Sequence, residues 1–376
     1  MTAPEATGPA ALLRERIAAA GPLSVADYMA AALDHPDFGY YATRDPLGRG
    51  GDFVTAPEIS QIFGELLGAW CVAVWQAMGA PAPVRLVELG PGCGTLLADA
   101  WRAWRRTARD LTGAARLHLV ETSPRLRARQ QDELSRLEPA PVAAWHLRFA
   151  EIPPGPVILI ANEFFDALPI RQYVCRGDRW RERLVGLAED GAGFAFVDGN
   201  VVGTSVLHAL AALPEPGDGA IFELCPAAEA LAGEIGARLA RDGGGALIVD
   251  YGHRHSAAGE TLQAVRAHRF ADPLVGPGDA DLSHHVDFER LATAAVAAGA
   301  RAIGPVPQGL FLGRLGIAAR AEALAAAAAS PAQAEAIAGA ARRLVHPGRM
   351  GVLFKALALV HPDLPPPPGM EAGSSR

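Results

Sequence analysis

Residues Val84 to Thr95, VRLVELGPGCGT, constrain the fold of this chain more than any other stretch. Val84, Leu86, Val87 and Leu89 form an apolar run that carries one acid, Glu88. Glycines then fall at alternate positions, Gly90, Gly92 and Gly94, ahead of an Ala/Leu-rich segment with helical character over about 95–109. Glycine adopts positive φ without penalty and lets a ligand come close to the backbone. The start of the following helix offers N–H groups with no intrahelical partner. A strand, a glycine turn and a helix in that order make a nucleotide-type pocket at the carboxyl edge of a parallel sheet.

Spacing narrows the ligand. A dinucleotide fingerprint, G-x-G-x-x-G, would need Gly or Ala at position 95, which is Thr95. The G-x-G-x-G form, with Glu88 two residues ahead of Gly90, resembles the motif of S-adenosylmethionine methyltransferases. Their cofactor has no pyrophosphate; it carries a sulfonium, an amino acid moiety and a ribose. A second acid is then expected at the end of the next strand, to hold ribose hydroxyls, and RLHLVET supplies Glu121 with Thr122 after it. The cofactor-binding candidates are Glu88, Gly90, Gly92, Gly94, Thr95, Glu121, Thr122 and Asn162.

Strands are expected at 84–89, 116–121, 144–149, 156–161 and 245–250, alternating with helices at about 95–109, 124–138 and 226–241. That rhythm predicts an α/β fold with a doubly wound, mostly parallel sheet. Residues 170–200 break it and read as antiparallel hairpins inserted into the sheet order. Residues 1–80 hold N-terminal helices and a Gly/Pro-rich loop, with a helix from about 58 to 78. Residues 81–360 form the main domain, with insertions at about 170–200 and 254–345. Two Ala-rich helices, 315–329 and 331–344, complete a helical cap, 350–360 is a last strand, and 361–376 reads as a disordered tail.

Half of the 376 residues are hydrophobic, which is enough for a sizeable core. A net charge of −7 disfavours a nucleic-acid partner held by phosphate contacts. Four scattered cysteines, with no C-x-x-C, predict neither a disulfide framework nor a zinc site and suit a reducing compartment. Signal, transit and membrane-spanning patterns are not found, so a soluble protein of the bacterial cytoplasm is expected. The oligomeric state stays open, a homodimer being one option.

ILIANEFFDALPI, Ile158 to Ile170, puts Asn162, Glu163 and Asp166 directly after a buried strand. A carboxylate there could hold a guanidinium through a bidentate pair. Glu163 is the catalytic candidate, assisted by Asp166 or by Glu58. GRGGDFVTAPEIS contributes Asp52, Thr55 and Glu58, either as helix caps or as a loop over the cofactor. VDYGH brings Asp250, Tyr251 and His253 to the same sheet edge. DADLSHHVDF, with Asp279, Asp281, His284, His285 and Asp287, is read as a structured loop, and no metal site is assigned.

Taken in order, YYATRDPLGRGGDFVTAPEISQIFGELLGAW, VELGPGCGTLLAD, HLVETSP, ANEFFDALPIRQ, VDYGH, DADLSHHVDF and MGVLFKALAL resemble the MidA family over about residues 24 to 360. The resemblance implies a class I, Rossmann-like methyltransferase that uses S-adenosyl-L-methionine on an arginine side chain of a protein. It implies a substrate in respiratory complex I, a subunit near the quinone site, and a role in assembly of that complex. It also implies that Gly90, Gly92 and Gly94 contact the cofactor, that Glu121 holds its ribose, and that 162–166 line the transfer site. Two alternatives stay open at this point: a non-enzymatic assembly chaperone with a methyltransferase fold, and a methyltransferase for a small-molecule acceptor.

Overall fold

A computed structural model describes residues 8–43, 55–191, 193–210 and 217–371. Asp52 lies outside them. The central sheet contains β1 (Val84–Leu89), β2 (Ala115–Val120), β3 (Ala143–His146), β4 (Val157–Asn162), β5 (Gly244–His253), β6 (Arg301–Pro307) and β7 (Phe354–Val360). Their spatial order is β6-β7-β5-β4-β1-β2-β3. All neighbours from β5 to β3 are parallel, while β7 runs antiparallel to both β5 and β6.

The run VILIAN of β4 is buried at every position because helices cover both faces of the sheet. Ile158 and Ile160 join the layer built by α1 (Gln61–Ala77) and α2 (Thr95–Thr107). Leu159 and Ala161 point the other way, toward α4 (Pro226–Asp242) and α5 (Phe288–Ala297), as the two-residue period of a strand requires. On the same side as α1 and α2, α3 (Pro124–Ser135) starts with Ser123 as its N-cap and Pro124 in its first turn, and its Leu134 joins their core. Arg320 of the cap helix Ile317–Ala326 pairs with both oxygens of Glu65 on α1, at 2.6 and 2.8 Å.

Four expectations need correction. The hairpins of 170–200 do not enter the central sheet. Arg171–Arg176, Arg179–Leu187 and Phe194–Val201 instead build a separate antiparallel sheet with Leu23–Ser24 and Ile221–Leu224. The DADLSHHVDF stretch is not a loop throughout, since its Asp281–Ser283 is a strand paired with Gln263–Arg266, which also pairs with Arg269–Ala271. β6 went unread because Gly304-Pro305 interrupts it; the register shifts there, at the sheet edge, where proline is tolerated. Residues 361–371 are packed rather than disordered: Met370 is 2% exposed and joins the core beside Phe311.

Candidate active site

The chain leaves β1 toward β2 on one side while β4 lies on the other, so a crevice opens beyond the carboxyl ends of β1 and β4. A cavity of about 340 Å³ occupies that crevice. Glu88, Gly90, Gly92, Glu121, Thr122, Asn162 and Glu163 line it, and Tyr41, Thr55 and Pro57 from the N-terminal segment wall it opposite the sheet.

Gly90, Gly92 and Gly94 have φ of 59°, 55° and 81°. At Gly90 the requirement is double, because a Cβ would also sit 2.7 Å from Cδ2 of Phe164. Gly94 is the left-handed residue that starts α2, and its carbonyl accepts from the Ala98 N–H at 3.1 Å. Thr95 and Glu58 meet each other rather than the cavity: the Thr95 hydroxyl donates to Glu58 Oε1 at 2.5 Å. Gly94, Thr95 and Glu58 therefore stand one layer behind the wall, holding the glycine turn against the short helix Ala56–Ile59. Thr55 precedes that helix without a side-chain cap bond and faces the cavity instead.

Two acceptors in the wall have no donor among the described residues, Glu88 Oε2 and Asn162 Oδ1. A buried polar atom left unpaired costs about 1–3 kcal/mol, so a ligand donor at this spot is strongly favoured. An ammonium group, with three N–H donors and a positive charge, fits an arrangement of one carboxyl and one amide oxygen. Burial pushes Glu88 up to about 8. Across the cavity, Glu121 Oε1 accepts from the Ser123 N–H at 2.8 Å and Oε2 from Gln130 Nε2 at 3.2 Å. Burial raises Glu121, and those donors oppose the rise. Its remaining lone pairs suit a pair of hydroxyl donors.

Gln130 was missed in the sequence, where it is one polar residue among many in a charged helix. It is fully buried, and its Nε2 also donates to the Gly92 carbonyl at 2.9 Å while its Oε1 accepts from Trp145 Nε1 at 2.8 Å. One amide thus ties the glycine turn to the Glu121 carboxyl.

Glu163 has φ of 49°, rare for a residue with a side chain and concentrated at functional sites. Its Oε1 accepts from the Ala56 N–H at 2.9 Å and from Asn162 Nδ2 at 3.2 Å. Burial, and then repulsion from Asp166, pushes its carboxyl up to about 7. Asp166, by contrast, does not line the cavity. It hydrogen-bonds the Tyr251 hydroxyl on the far side of the turn, and burial raises it. Asp281 accepts from the Tyr41 hydroxyl at 2.8 Å, and His284 Nε2 lies 3.0 Å from the Leu168 carbonyl, so the DADLSHHVDF stretch buttresses the wall from behind. His253 lies 3.5 Å from Asp287.

The family model described as "Putative S-adenosyl-L-methionine-dependent methyltransferase" matches residues 66–306. The protein arginine methyltransferase NDUFAF7 homolog of Drosophila melanogaster mitochondria is 39% identical over 372 residues, covering 92% of this chain and 83% of its own. The mitochondrial protein arginine methyltransferase NDUFAF7 of Homo sapiens is 34% identical over 373 residues, with 93% and 82% covered. Among solved structures, a Burkholderia thailandensis protein bound to S-adenosyl-homocysteine superposes with a TM-score of 0.82 at 31% identity, covering 97% of this chain and 92% of that one.

Proposed function

The chain belongs to this family of S-adenosyl-L-methionine-dependent methyltransferases, and we propose that it methylates an arginine side chain of a protein, a subunit of respiratory complex I near the quinone site, in support of that complex's assembly. The cofactor supplies an electrophilic methyl group on a sulfonium. Glu88 and Asn162 would hold its ammonium, the Gly90–Gly92 backbone would pass along it, and Glu121 would take its ribose hydroxyls.

The observation that carries the acceptor reading is the Glu163 carboxyl, fixed on a left-handed turn in the same cavity as the cofactor residues. A guanidinium keeps its proton at neutral pH and is a poor nucleophile. A carboxylate paired with it concentrates the positive charge away from the attacking nitrogen and fixes its direction, and alignment is a large part of such catalysis. As the new N–C bond forms, the methyl–sulfur bond would break and leave a neutral thioether, the nitrogen would shed a proton, and a carboxyl raised toward neutrality is suited to take it. Drosophila and human relatives named as protein arginine methyltransferases support this acceptor class. The same proposal places the protein in the bacterial cytoplasm, where its four cysteines would stay reduced.

The test is methyl transfer from labelled S-adenosyl-L-methionine to the purified quinone-site subunit, followed by identification of methylated arginine. Glu163→Gln should cut turnover ~100-fold or more while S-adenosyl-homocysteine affinity stays within about threefold. Full turnover in that variant overturns the role of Glu163, and a methyl group on any other residue type overturns the acceptor.

A further inference from the structure

We propose that Asp250, near the carboxyl end of β5, is the positioning residue that shapes the acceptor turn and so aims Glu163; the inference rests on the role of Glu163 given above. Asp250 is fully buried and does not line the cavity. Its Oδ2 accepts from three consecutive backbone N–H groups, those of Phe164, Phe165 and Asp166, at 3.2, 3.0 and 3.3 Å. Its Oδ1 accepts from the Tyr251 N–H at 2.9 Å.

The N–H groups of Phe164, Phe165 and Asp166 open the one-turn helix Phe165–Ala167 and have no partner within it, so the Asp250 carboxyl gives them a common acceptor. Glu163, at φ 49°, lies directly before them, where the chain turns from β4 into that helix. The Glu163 N–H is held by the Val249 carbonyl at 2.9 Å, one residue before Asp250. β5 thus sets the start of the turn through Val249 and its interior through Asp250. The Glu163 side chain then reaches the Ala56 N–H, and the Phe164 ring covers Gly90. Asp250 touches neither cofactor-binding acid, so its effect on chemistry must pass through the turn.

The test uses the full chain in three arms. In the unaltered protein, hydrogen exchange at the amides of Phe164–Asp166 should be at least ~100-fold slower than in unstructured peptide. Asp250→Asn should release those amides, leave β1 protected and keep S-adenosyl-homocysteine affinity within about threefold, while turnover falls ~100-fold. The double variant Glu163→Gln, Asp250→Asn should be no slower than Glu163→Gln alone, because both changes remove one device. Free exchange at 164–166 in the unaltered protein overturns the proposal, as does turnover within threefold in Asp250→Asn. Effects that multiply in the double variant, or loss of ligand binding in step with turnover, would mark Asp250 as a structural residue only. Should Asp250→Asn not fold, Asp250→Ser is the second variant, and the exchange arm on the unaltered protein still decides. Failure of the unaltered protein to methylate the subunit counts against the acceptor reading, and the exchange and affinity arms then decide this one.

Discussion

Cofactor affinity should rise about tenfold between pH 6 and pH 7, because the acid that receives the ligand's ammonium is buried and protonated when empty. Glu88 sits at about 8 in the free protein. The ionised fraction is then about 1% at pH 6 and about 9% at pH 7. Over that interval the ligand's own amino group stays charged. Each binding event below pH 8 must therefore expel one proton, giving a slope near one decade per pH unit, or ~1.3 kcal/mol between these two points. Above pH 8 Glu88 is already ionised in the free protein, so the slope levels off. Calorimetric titration with S-adenosyl-homocysteine, in two buffers of different ionisation enthalpy, counts the expelled proton directly. Glu88→Gln should abolish the slope. Glu163 lines the same cavity and is raised to about 7, so the titration is repeated in Glu163→Gln, where the slope should persist. Equal affinities at pH 6 and pH 7, or a slope that survives in Glu88→Gln, would refute the reasoning.

Gly90→Ala should weaken S-adenosyl-homocysteine binding ~10–100-fold by calorimetry, since left-handed backbone costs ~1–2 kcal/mol and the new Cβ must displace the Phe164 ring 2.7 Å away. Truncation after Pro362 should lower the unfolding free energy by ~2–3 kcal/mol, read as a lower urea midpoint at unchanged slope, because it removes buried Met370 and the Gly369 carbonyl that accepts from Arg314; no change in midpoint would show that these contacts contribute nothing. His118, 2.9 Å from His146, is lowered to about 4 by burial first and then by that neighbour. Its contribution to stability is present above the unfolded pKa near 6.5 and is lost as pH falls toward 4, up to ~3 kcal/mol. His118→Gln should flatten the denaturation profile over that range. Glu88 works in the opposite sense: its raised pKa makes folded-state stability fall as pH climbs from about 4.5 to 8. Glu88→Gln should therefore stabilise the empty protein at pH 7 by a few kcal/mol, ~3 from the shift alone, read as a higher melting temperature.

The sheet was legible where each strand is covered on both faces, because an all-apolar run such as VILIAN has few other uses. It was not legible where pairing is remote. Leu23–Ser24 becomes a strand only because Leu184 and Val185 lie opposite it, and two residues carry no period. The same contrast holds at the site. Glu88 lies in the last two residues of β1, while Gly90, Gly92, Glu121 and Glu163 follow strand ends in the chain, and the fold brings strand ends together. Gln130 and Asp250 act through geometry that appears only after folding, one as a bridge between two loops and the other as the centre of converging N–H groups. Glu58 and Thr95 were placed by motif alone, and the structure pairs them behind the cavity wall.

Local rules of stability are broken at the carboxyl ends of two adjacent strands, β1 and β4. Glu88 and Asn162 leave buried oxygens without donors at the ends of adjacent strands. Glu163 accepts a backbone conformation that glycine would take at no cost. Glu163→Gly would relieve that cost, so the carboxyl at 163 is kept at the expense of stability. The residues that carry the unpaired oxygens line a cavity, and the strained residue lines the same cavity. Pure structural need would have paired these groups inward, as it did for Gln130, whose polar atoms all find partners within the protein. The difference between Gln130 and Glu88, both buried and polar and both beside the glycine turn, is that only Glu88 waits for a donor from outside.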